Sequence, residues 1–362
     1  MSVLIKDLSI KNFKSIKELD LKCKRINLLI GKPNAGKSNV LEALSMYCGG
    51  YEMNPDKFLS SFIRFDTLND LFHYRDLDNA VEVISDIGFV TIRSYKGETD
   101  FVYALGADIE HFHTTQRNSD EPFVEYINRI RLHLLYGEHP LPSVLFLSPE
   151  SKYDKQNGYI LDNAFHVLKY HFKEIPKIEH ESLPELLYDG SNLFSVIERS
   201  KELSDYAGHF FEEYGLEYVK IQSEKKMVIQ RKIGRTVDQL GFELTPDTFQ
   251  RLIYHVAAIK SNTNSVLLFE EPESHSFPPY IQEFANKVIE STDNQFFITT
   301  HSPYILNTFL QDESIANDLN IVLTWFENFQ TKARVLSQKE IEQIYGNGID
   351  IFFNMDSFIG ND

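Results

Sequence analysis

The sequence predicts an α/β fold that combines a mixed sheet, an antiparallel β lobe and a helical insertion. Two short apolar runs, residues 26–30 and 265–269, each end in side chains suited to phosphate or metal chemistry. Such runs are typical of buried parallel strands, whose carboxyl ends carry the ligand sites of α/β sheets. Residues 80–105 alternate apolar and polar side chains instead, which is typical of antiparallel strands.

A complete phosphate-binding loop follows the first apolar run. Residues 31–38 read G-K-P-N-A-G-K-S, and residues 39–44 continue with helical periodicity. The two glycines allow the backbone N–H groups to face a phosphate chain at the positive end of a helix. Lys37 can reach the β- and γ-phosphates and assist catalysis, and the Ser38 hydroxyl can ligate Mg²⁺. The predicted nucleotide-binding residues are Gly31, Lys32, Pro33, Asn34, Ala35, Gly36, Lys37, Ser38 and Asn39.

Two adjacent carboxylates, Glu270 and Glu271, end the second apolar run. The first can hold Mg²⁺ through water, and the second can orient or deprotonate an attacking water molecule. Alone, this pair would indicate a solvated acidic turn. The phosphate-binding loop upstream favours the catalytic interpretation.

A third apolar run, residues 295–299, ends in Thr300 and His301. A lone histidine is most often a structural residue. This one ends a strand that follows the acidic strand by one helix, so His301 is placed to sense a γ-phosphate.

These blocks, in this order, resemble those of ABC-type ATPases of the RecF/SMC/OLD group, and the resemblance spans nearly all of the chain. Residues 8–16 resemble that group's N-terminal strand and turn, x-I-x-N-F-K-S. Residues 270–278 resemble the block D-E-P-E-x-H-L-H-P, and residues 300–303 resemble the switch-histidine block T-H-S-P. The resemblance implies an ABC-type P-loop ATPase head that uses ATP and Mg²⁺.

The same resemblance implies roles for individual residues. Glu271 would be the catalytic glutamate, His301 the switch histidine, and Ser38 with Glu270 the magnesium ligands. Glu270 replaces the aspartate of the Walker B motif and is longer by one methylene. The geometry around the metal is therefore expected to differ slightly from that of the group.

The signature segment of the group, L-S-G-G-Q-x-Q-R-L, is matched at residues 244–252 by L-T-P-D-T-F-Q-R-L, without either glycine. We expect a helix to begin here, with Thr245 as N-cap, Pro246 at the first helical position and Asp247 complementing the dipole. The resemblance implies that Thr245 and Asp247 face the γ-phosphate of a second protomer, where a carboxylate is electrostatically unfavourable. A capped helix without a role in trans is the alternative.

Composition predicts a cytoplasmic enzyme with no membrane segment. The 362 residues are 42% hydrophobic, Cys23 and Cys48 form no disulfide or zinc motif, and neither a long apolar run nor a signal peptide is present. The net charge of −17 opposes extensive nucleic-acid binding, so any such binding should be weak or indirect. The first 25 residues contain several basic side chains, interpreted as a local patch or, preferably, as solvated faces of edge strands: Lys11, Lys14, Lys17, Lys22, Lys24 and Arg25.

The order of the blocks predicts three parts. Residues 1–109 would form the first ATPase lobe, residues 110–215 a helical insertion, and residues 216–362 the second lobe. Within the insertion, residues 126–132 and 161–172 have helical patterns. No long heptad stretch is present, which excludes an SMC-type coiled-coil arm.

Two functions remain open. In the first, the chain is the nucleotide-driven switch of a multi-component system, above all bacterial antiphage defence, and acts on a separate effector such as a nuclease. It would form an ATP-sandwich dimer or a higher homo-oligomer. In the alternative, it is a RecF-like repair ATPase acting directly at DNA ends or junctions. The acidic charge favours the first, and the roughly 60 residues after His301 are too few for the Toprim domain of OLD nucleases. Aromatic residues of the insertion would dock the effector, unless they form that lobe's own core: Phe112, Tyr126, Tyr136, Tyr170 and Phe172.

Overall fold

The computed structural model describes residues 5–51, 58–95, 100–106, 143–148, 159–160, 165–173 and 183–360, which form a mixed α/β structure. The described strands are β1 Asp7–Phe13, β2 Ile16–Lys22, β3 Ile26–Gly31, β4 Val81–Ser85, β5 Gly88–Tyr95, β6 Asp100–Gly106, β7 Ser143–Leu147, β8 Tyr159–Ile160, β9 Val167–Tyr170, β10 Glu217–Ile221, β11 Lys226–Ile233, β12 Thr236–Gly241, β13 Val266–Glu270, β14 Gln295–Thr299, β15 Leu319–Glu327 and β16 Gln330–Val335.

Helices cover the outer face of this framework and connect its parallel strands. The described α-helices are α1 Lys37–Ser45, α2 Leu193–Arg199, α3 Lys201–Glu212, α4 Asp247–Ser261, α5 Pro278–Glu290, α6 Pro303–Gln311, α7 Gln338–Gly346 and α8 Ile351–Asn354. None of these described helices has the length and apolar character needed to span a bilayer.

A six-stranded sheet, in the order β16-β15-β3-β14-β13-β9, forms the centre of the molecule. Strands β15, β3, β14, β13 and β9 are parallel, and β16 pairs antiparallel at one edge. Strands β3, β13 and β14 are apolar and buried along nearly their whole length, as expected for parallel strands covered on both faces. Their carboxyl ends therefore meet at one edge of the sheet, together with the end of β9.

Two hydrophobic cores lie on opposite faces of this sheet. On one face, Leu29 and Leu268 pack with α1 against a second, antiparallel sheet in the order β2-β1-β4-β5-β6-β7-β8. On the other face, Leu28 and Phe269 pack against α4, α5 and α6. Because successive side chains of a strand alternate between faces, one apolar run supplies both cores. The mixed α/β fold predicted from the sequence is confirmed.

The helix predicted within residues 161–172 is wrong where the structure describes it. Val167–Tyr170 form β9, which pairs with β13 and so belongs to the central sheet. Strands β7 and β8 lie in the same predicted insertion and extend the antiparallel sheet. The described helices of that range are α2 and α3. Residues 126–132 lie outside the described residues.

The aromatic docking residues proposed from the sequence are also corrected where they can be seen. Tyr170 and Phe172 are buried in the core of the central sheet, and the Tyr170 ring stacks on Phe269 with centroids 5.7 Å apart. Neither side chain is available to a partner. Phe112, Tyr126 and Tyr136 lie outside the described residues.

The basic side chains near the N-terminus are largely paired with carboxylates. Lys11 lies 3.2 Å from Glu18, and Arg25 lies 3.1 Å from Asp318. Lys22 contacts Asp7, and Lys14 contacts the buried Glu42. This pairing favours the interpretation as structural faces of strands over a continuous basic patch.

Candidate functional site

The phosphate-binding loop connects β3 to α1 and is enclosed by the β15–β16 hairpin. Gly36 adopts φ +92°, and a Cβ added there would lie 1.9 Å from Thr331 Oγ1. A Cβ on Gly31 would lie 2.3 Å from Thr324 Oγ1. Both positions therefore require glycine, one for conformation and space and the other for space.

Lys37 begins α1 and is only 5% exposed. Its Nζ donates to the carbonyls of Gly31, at 2.9 Å, and Lys32, at 3.2 Å. Burial lowers the pKa of Lys37, while the charges of Glu271 and Glu273 oppose that shift. The ammonium group is thus folded onto the loop's own carbonyls, inside the ring of backbone that would surround a phosphate.

The remaining loop residues have different surroundings. Asn39 donates from Nδ2 to Ser15 Oγ at 2.6 Å, so its side chain supports the β1–β2 turn. Lys32 contacts both carboxylate oxygens of Asp356, at 2.7 and 2.8 Å. Asn34 has φ +61°, and Ala35 is buried. These side chains shape the loop, whereas its phosphate contacts would come from the backbone.

The two predicted metal ligands are adjacent. The Ser38 hydroxyl hydrogen-bonds the carboxylate of Glu270 at the end of β13. Burial pushes the pKa of Glu270 upward, but Lys169, the Ser38 hydroxyl and Arg64 outweigh burial and hold that pKa at about 2. Glu270 is therefore ionised at every physiological pH. A hydroxyl and a carboxylate are hard oxygen ligands that fit Mg²⁺, whose remaining positions water and phosphate oxygens commonly fill.

Glu271 follows β13, and His301 follows β14. His301 Nε2 lies 3.5 Å from Glu271 Oε1, and both side chains are about 40% exposed. Glu271 has φ +45°, and its N–H donates to the carbonyl of Thr299 at 3.1 Å. Burial and the charge of Lys37 lower the pKa of His301, while Glu271 opposes them. The imidazole is therefore neutral at pH 7.

Glu273 was not assigned a role from the sequence, yet it anchors the histidine block. Its Oε1 accepts from Thr300 Oγ1 at 2.7 Å and from the His301 N–H at 2.8 Å. Burial raises the pKa of Glu273. Its position in the E-E-P-E block was the available signal.

Three further residues lie around the two predicted metal ligands and were also missed. Arg64 Nη2 lies 2.9 Å from Glu270 Oε1, and Lys169 Nζ lies 3.1 Å from Glu270 Oε2. His171, at the carboxyl end of β9, lines a cavity of about 150 Å³ together with Ser38, Glu270 and Glu271. Lys169 could have been noticed as a charged residue inside an apolar strand. Arg64 lies in an irregular segment that carries no such signal.

The signature-like segment differs from its expectation. Helix α4 begins at Asp247, and Thr245 does not cap it. Thr245 is buried, and its Oγ1 donates instead to the carbonyl of Phe242 at 2.6 Å, because a 3₁₀ turn at Phe242–Leu244 brings that carbonyl within reach. Asp247 does lie in the first helical turn, where its carboxylate contacts Arg251 Nε at 2.6 Å.

Known proteins place this geometry in context. Residues 26–307 match the family described as "AAA domain, putative AbiEii toxin, Type IV TA system". A search of curated proteins found no match. Among solved structures, an SMC head bound to the C-winged helix domain of ScpA is similar with a TM-score of 0.51 and 14% identity, over 93% of this chain and 99% of that one.

Two other SMC heads also match. The head domain from Thermotoga maritima has a TM-score of 0.41 at 12% identity, over 92% of this chain and 99% of that one. A head with an extended coiled coil, bound to the C-terminal domain of ScpA from Pyrococcus furiosus, has a TM-score of 0.46 at 13% identity, over 95% and 98%. At such identities, only the fold is shared. The family match covers most of the chain, and so the protein belongs to this AAA-domain family and has an ABC/SMC-like P-loop ATPase fold.

Proposed function

We propose that the protein binds and hydrolyses ATP with Mg²⁺ at the edge where β3, β13 and β14 end. The observation that carries this proposal is the convergence of Glu271 and His301, 3.5 Å apart, on the side of the loop that holds Lys37. Backbone N–H groups of residues 31–39 and the Lys37 ammonium would bind the phosphates. Ser38 and Glu270 would hold Mg²⁺.

Each residue has a separate part in the proposed reaction. Bound Mg²⁺ would supply neutralisation of phosphate charge. Lys37 would leave the loop carbonyls for the β- and γ-phosphates. Glu271 would accept a hydrogen bond, or the proton, from the attacking water. The neutral imidazole of His301 would donate a hydrogen bond to the γ-phosphate. Positioning and charge stabilisation would provide most of the rate enhancement.

The substitution Glu271→Gln tests this assignment because it removes the base and keeps the shape. Phosphate release should fall by about 100-fold or more, whereas ATP binding should be retained. Glu313→Gln, which changes an exposed glutamate of a 3₁₀ turn far along the chain, is the control and should keep the parental rate. Hydrolysis by Glu271→Gln at the parental rate would contradict the role of Glu271.

We further propose that hydrolysis drives a switch in a homo-oligomer that acts on a separate effector, in antiphage defence. The family description, which refers to a putative toxin and a type IV TA system, supports this class of role. An SMC head with a bound ScpA domain illustrates how such a fold can present a surface to a partner. An ATP-sandwich dimer would place α4 of one protomer opposite the phosphate-binding loop of the other.

We retain the division into lobes at residues 1–109 and 216–362 as part of this proposal. Strands β7, β8 and β9 join the two large sheets, and α2 and α3 pack into the same core as α4. The described part of residues 110–215 would therefore belong to the two lobes rather than to a separate insertion. The alternative, a RecF-like ATPase acting directly on DNA, lacks comparable support. In the described part of the chain, most of the N-terminal basic residues already contact carboxylates.

A further inference from the structure

Strand β9 contains one buried lysine beside the proposed metal site. Lys169 is only 6% exposed and pairs in register with Leu268 of β13. Its Nζ donates to the carbonyl of Phe62 at 2.9 Å and lies 3.1 Å from Glu270 Oε2. Because a buried ammonium is costly unless it is paired and hydrogen-bonded, Glu270 and the Phe62 carbonyl account for its place in the fold.

The other oxygen of Glu270 is also held by a cation. Arg64 Nη2 lies 2.9 Å from Oε1, and Arg64 Nε lies 2.7 Å from the fully buried Glu42. Glu42 in turn contacts Lys14. This cluster of three cations and two carboxylates carries a net positive charge before any metal binds. Two of these cations, Arg64 and Lys169, each contact one carboxylate oxygen of Glu270, the proposed metal ligand.

These two contacts with Glu270 have opposite consequences for a divalent cation. A restrained carboxylate is already in place, which compensates for the extra methylene that glutamate has over aspartate. The restraining ammonium, however, repels the incoming Mg²⁺, since like charges a few ångströms apart raise each other's energy. If Lys169 only stabilised the fold, its replacement would not change Mg²⁺ affinity and turnover in opposite directions.

On the basis of the proposed ATPase function, we propose that Lys169 is a positioning residue of the metal site. It fixes the carboxylate of Glu270 for catalysis, and its charge raises the Mg²⁺ concentration that the site requires. Removing the charge should therefore tighten Mg²⁺ binding and slow turnover together. If the contact of Lys169 were purely structural, its loss would lower both Mg²⁺ affinity and turnover.

The variant Lys169→Gln tests the proposal, because its amide can still donate to the Phe62 carbonyl. The measurement is a Mg²⁺ titration of the binding of a fluorescent, non-hydrolysable ATP analogue at pH 8. We expect half-saturation at a Mg²⁺ concentration lower by on the order of tenfold, and turnover at saturating Mg²⁺ lower by about tenfold. Lys169→Arg keeps the charge and should restore parental half-saturation.

Lys173→Gln is the matched control. Lys173 is exposed and lines the same cavity of about 360 Å³ as Lys169, but it makes no ion pair within the described residues. Its substitution should leave half-saturation unchanged. If Lys169→Gln does not fold, Arg64→Gln removes the other cation from Glu270 and should shift half-saturation in the same direction.

The outcomes separate this proposal from the ATPase function on which it rests. If the parental protein binds the analogue with no Mg²⁺ dependence, the proposed Mg²⁺-ATP site fails, and this inference fails with it. If the parental protein depends on Mg²⁺ but Lys169→Gln has the same or a higher half-saturation, only the role of Lys169 is overturned.

Discussion

His301 Nε2 faces Glu271 Oε1 at 3.5 Å, from the ends of two adjacent parallel strands, β14 and β13. The separation is longer than a strong hydrogen bond, so each side chain remains available to a third group between or beside them. The carboxylate of Glu273 accepts a hydrogen bond from the His301 N–H and so fixes the backbone of that histidine. The pair is therefore positioned by the sheet rather than by its own mutual contact.

This relationship predicts a pH dependence of kcat/KM. The pKa of His301 is lowered, so the imidazole is neutral above that pKa and becomes charged as the pH falls through it. An imidazolium would pair with Glu271 and engage the proposed base. We expect kcat/KM, which reports ionisations of the free enzyme, to decline only below pH 6.5, the ordinary histidine pKa, in a profile measured from pH 5 to 8. The variant His209→Gln, at an exposed site on α3, should keep that profile. An acid midpoint above 6.5 would contradict this prediction.

A second prediction concerns Lys37, the proposed phosphate-binding lysine. Lys37→Ala removes the ammonium that now contacts the loop carbonyls, and ATP affinity should fall by roughly 100-fold or more, since charge-assisted hydrogen bonds to phosphate are lost. Calorimetry with ATP would measure this loss. Lys226→Ala is the control, because Lys226 is exposed and contacts Glu224, outside the phosphate-binding loop. Equal losses in the two variants would argue against a special role for Lys37.

The start of α4 offers a test of dimerisation. Leu244 precedes this helix and is 66% exposed, so a substitution there can affect a second protomer without disturbing the core. In the Glu271→Gln background, ATP should increase the molecular mass to that of a dimer, and Leu244→Arg should prevent the increase without reducing ATP affinity. Light scattering after size exclusion measures the mass. Ile233→Arg, at another exposed apolar position, should still dimerise. A dimer that survives Leu244→Arg would exclude this surface.

The buried Glu42 predicts a large difference between two superficially similar lysines. Lys14→Met removes one of two cations from a carboxylate that is fully buried, and the free energy of unfolding should fall by about 3 kcal/mol. Lys11→Met breaks only the exposed pair with Glu18 and should cost less than about 1 kcal/mol. Urea unfolding of both variants makes the comparison. Similar losses would show that Glu42 does not depend on Lys14.

The sequence predicted those elements and motifs that are formed by residues close to one another along the chain. The phosphate-binding loop and the acidic and histidine blocks each follow an apolar run, and parallel strands bring such ends to one edge whatever their separation along the chain. The β4–β5 pair was likewise visible as an alternating pattern within residues 80–105, and it is confirmed.

What depends on distant residues was not predictable. Arg64 meets Glu270 across about 200 positions, and no local pattern marks that contact. Strand β9 was misread because Leu161, Phe165 and Leu168 follow one another at helical spacing, while the strand itself has only four residues. Thr245 was expected to cap α4, but its hydroxyl donates to the carbonyl of Phe242 instead. A 3₁₀ turn brings that carbonyl within reach, and no sequence pattern predicted this turn.

The position of β3 has a consequence for biosynthesis. This strand, residues 26–31, is translated well before its sheet neighbours β14 and β15, which are made of residues 295–299 and 319–327. Thr324 and Thr331, which close around the loop glycines, arrive equally late. A nascent chain therefore carries the phosphate-binding motif without its surrounding pocket until β15 and β16 have been translated. Chaperones would meet an unpaired apolar strand, and the proposed ATP binding could begin only after that point.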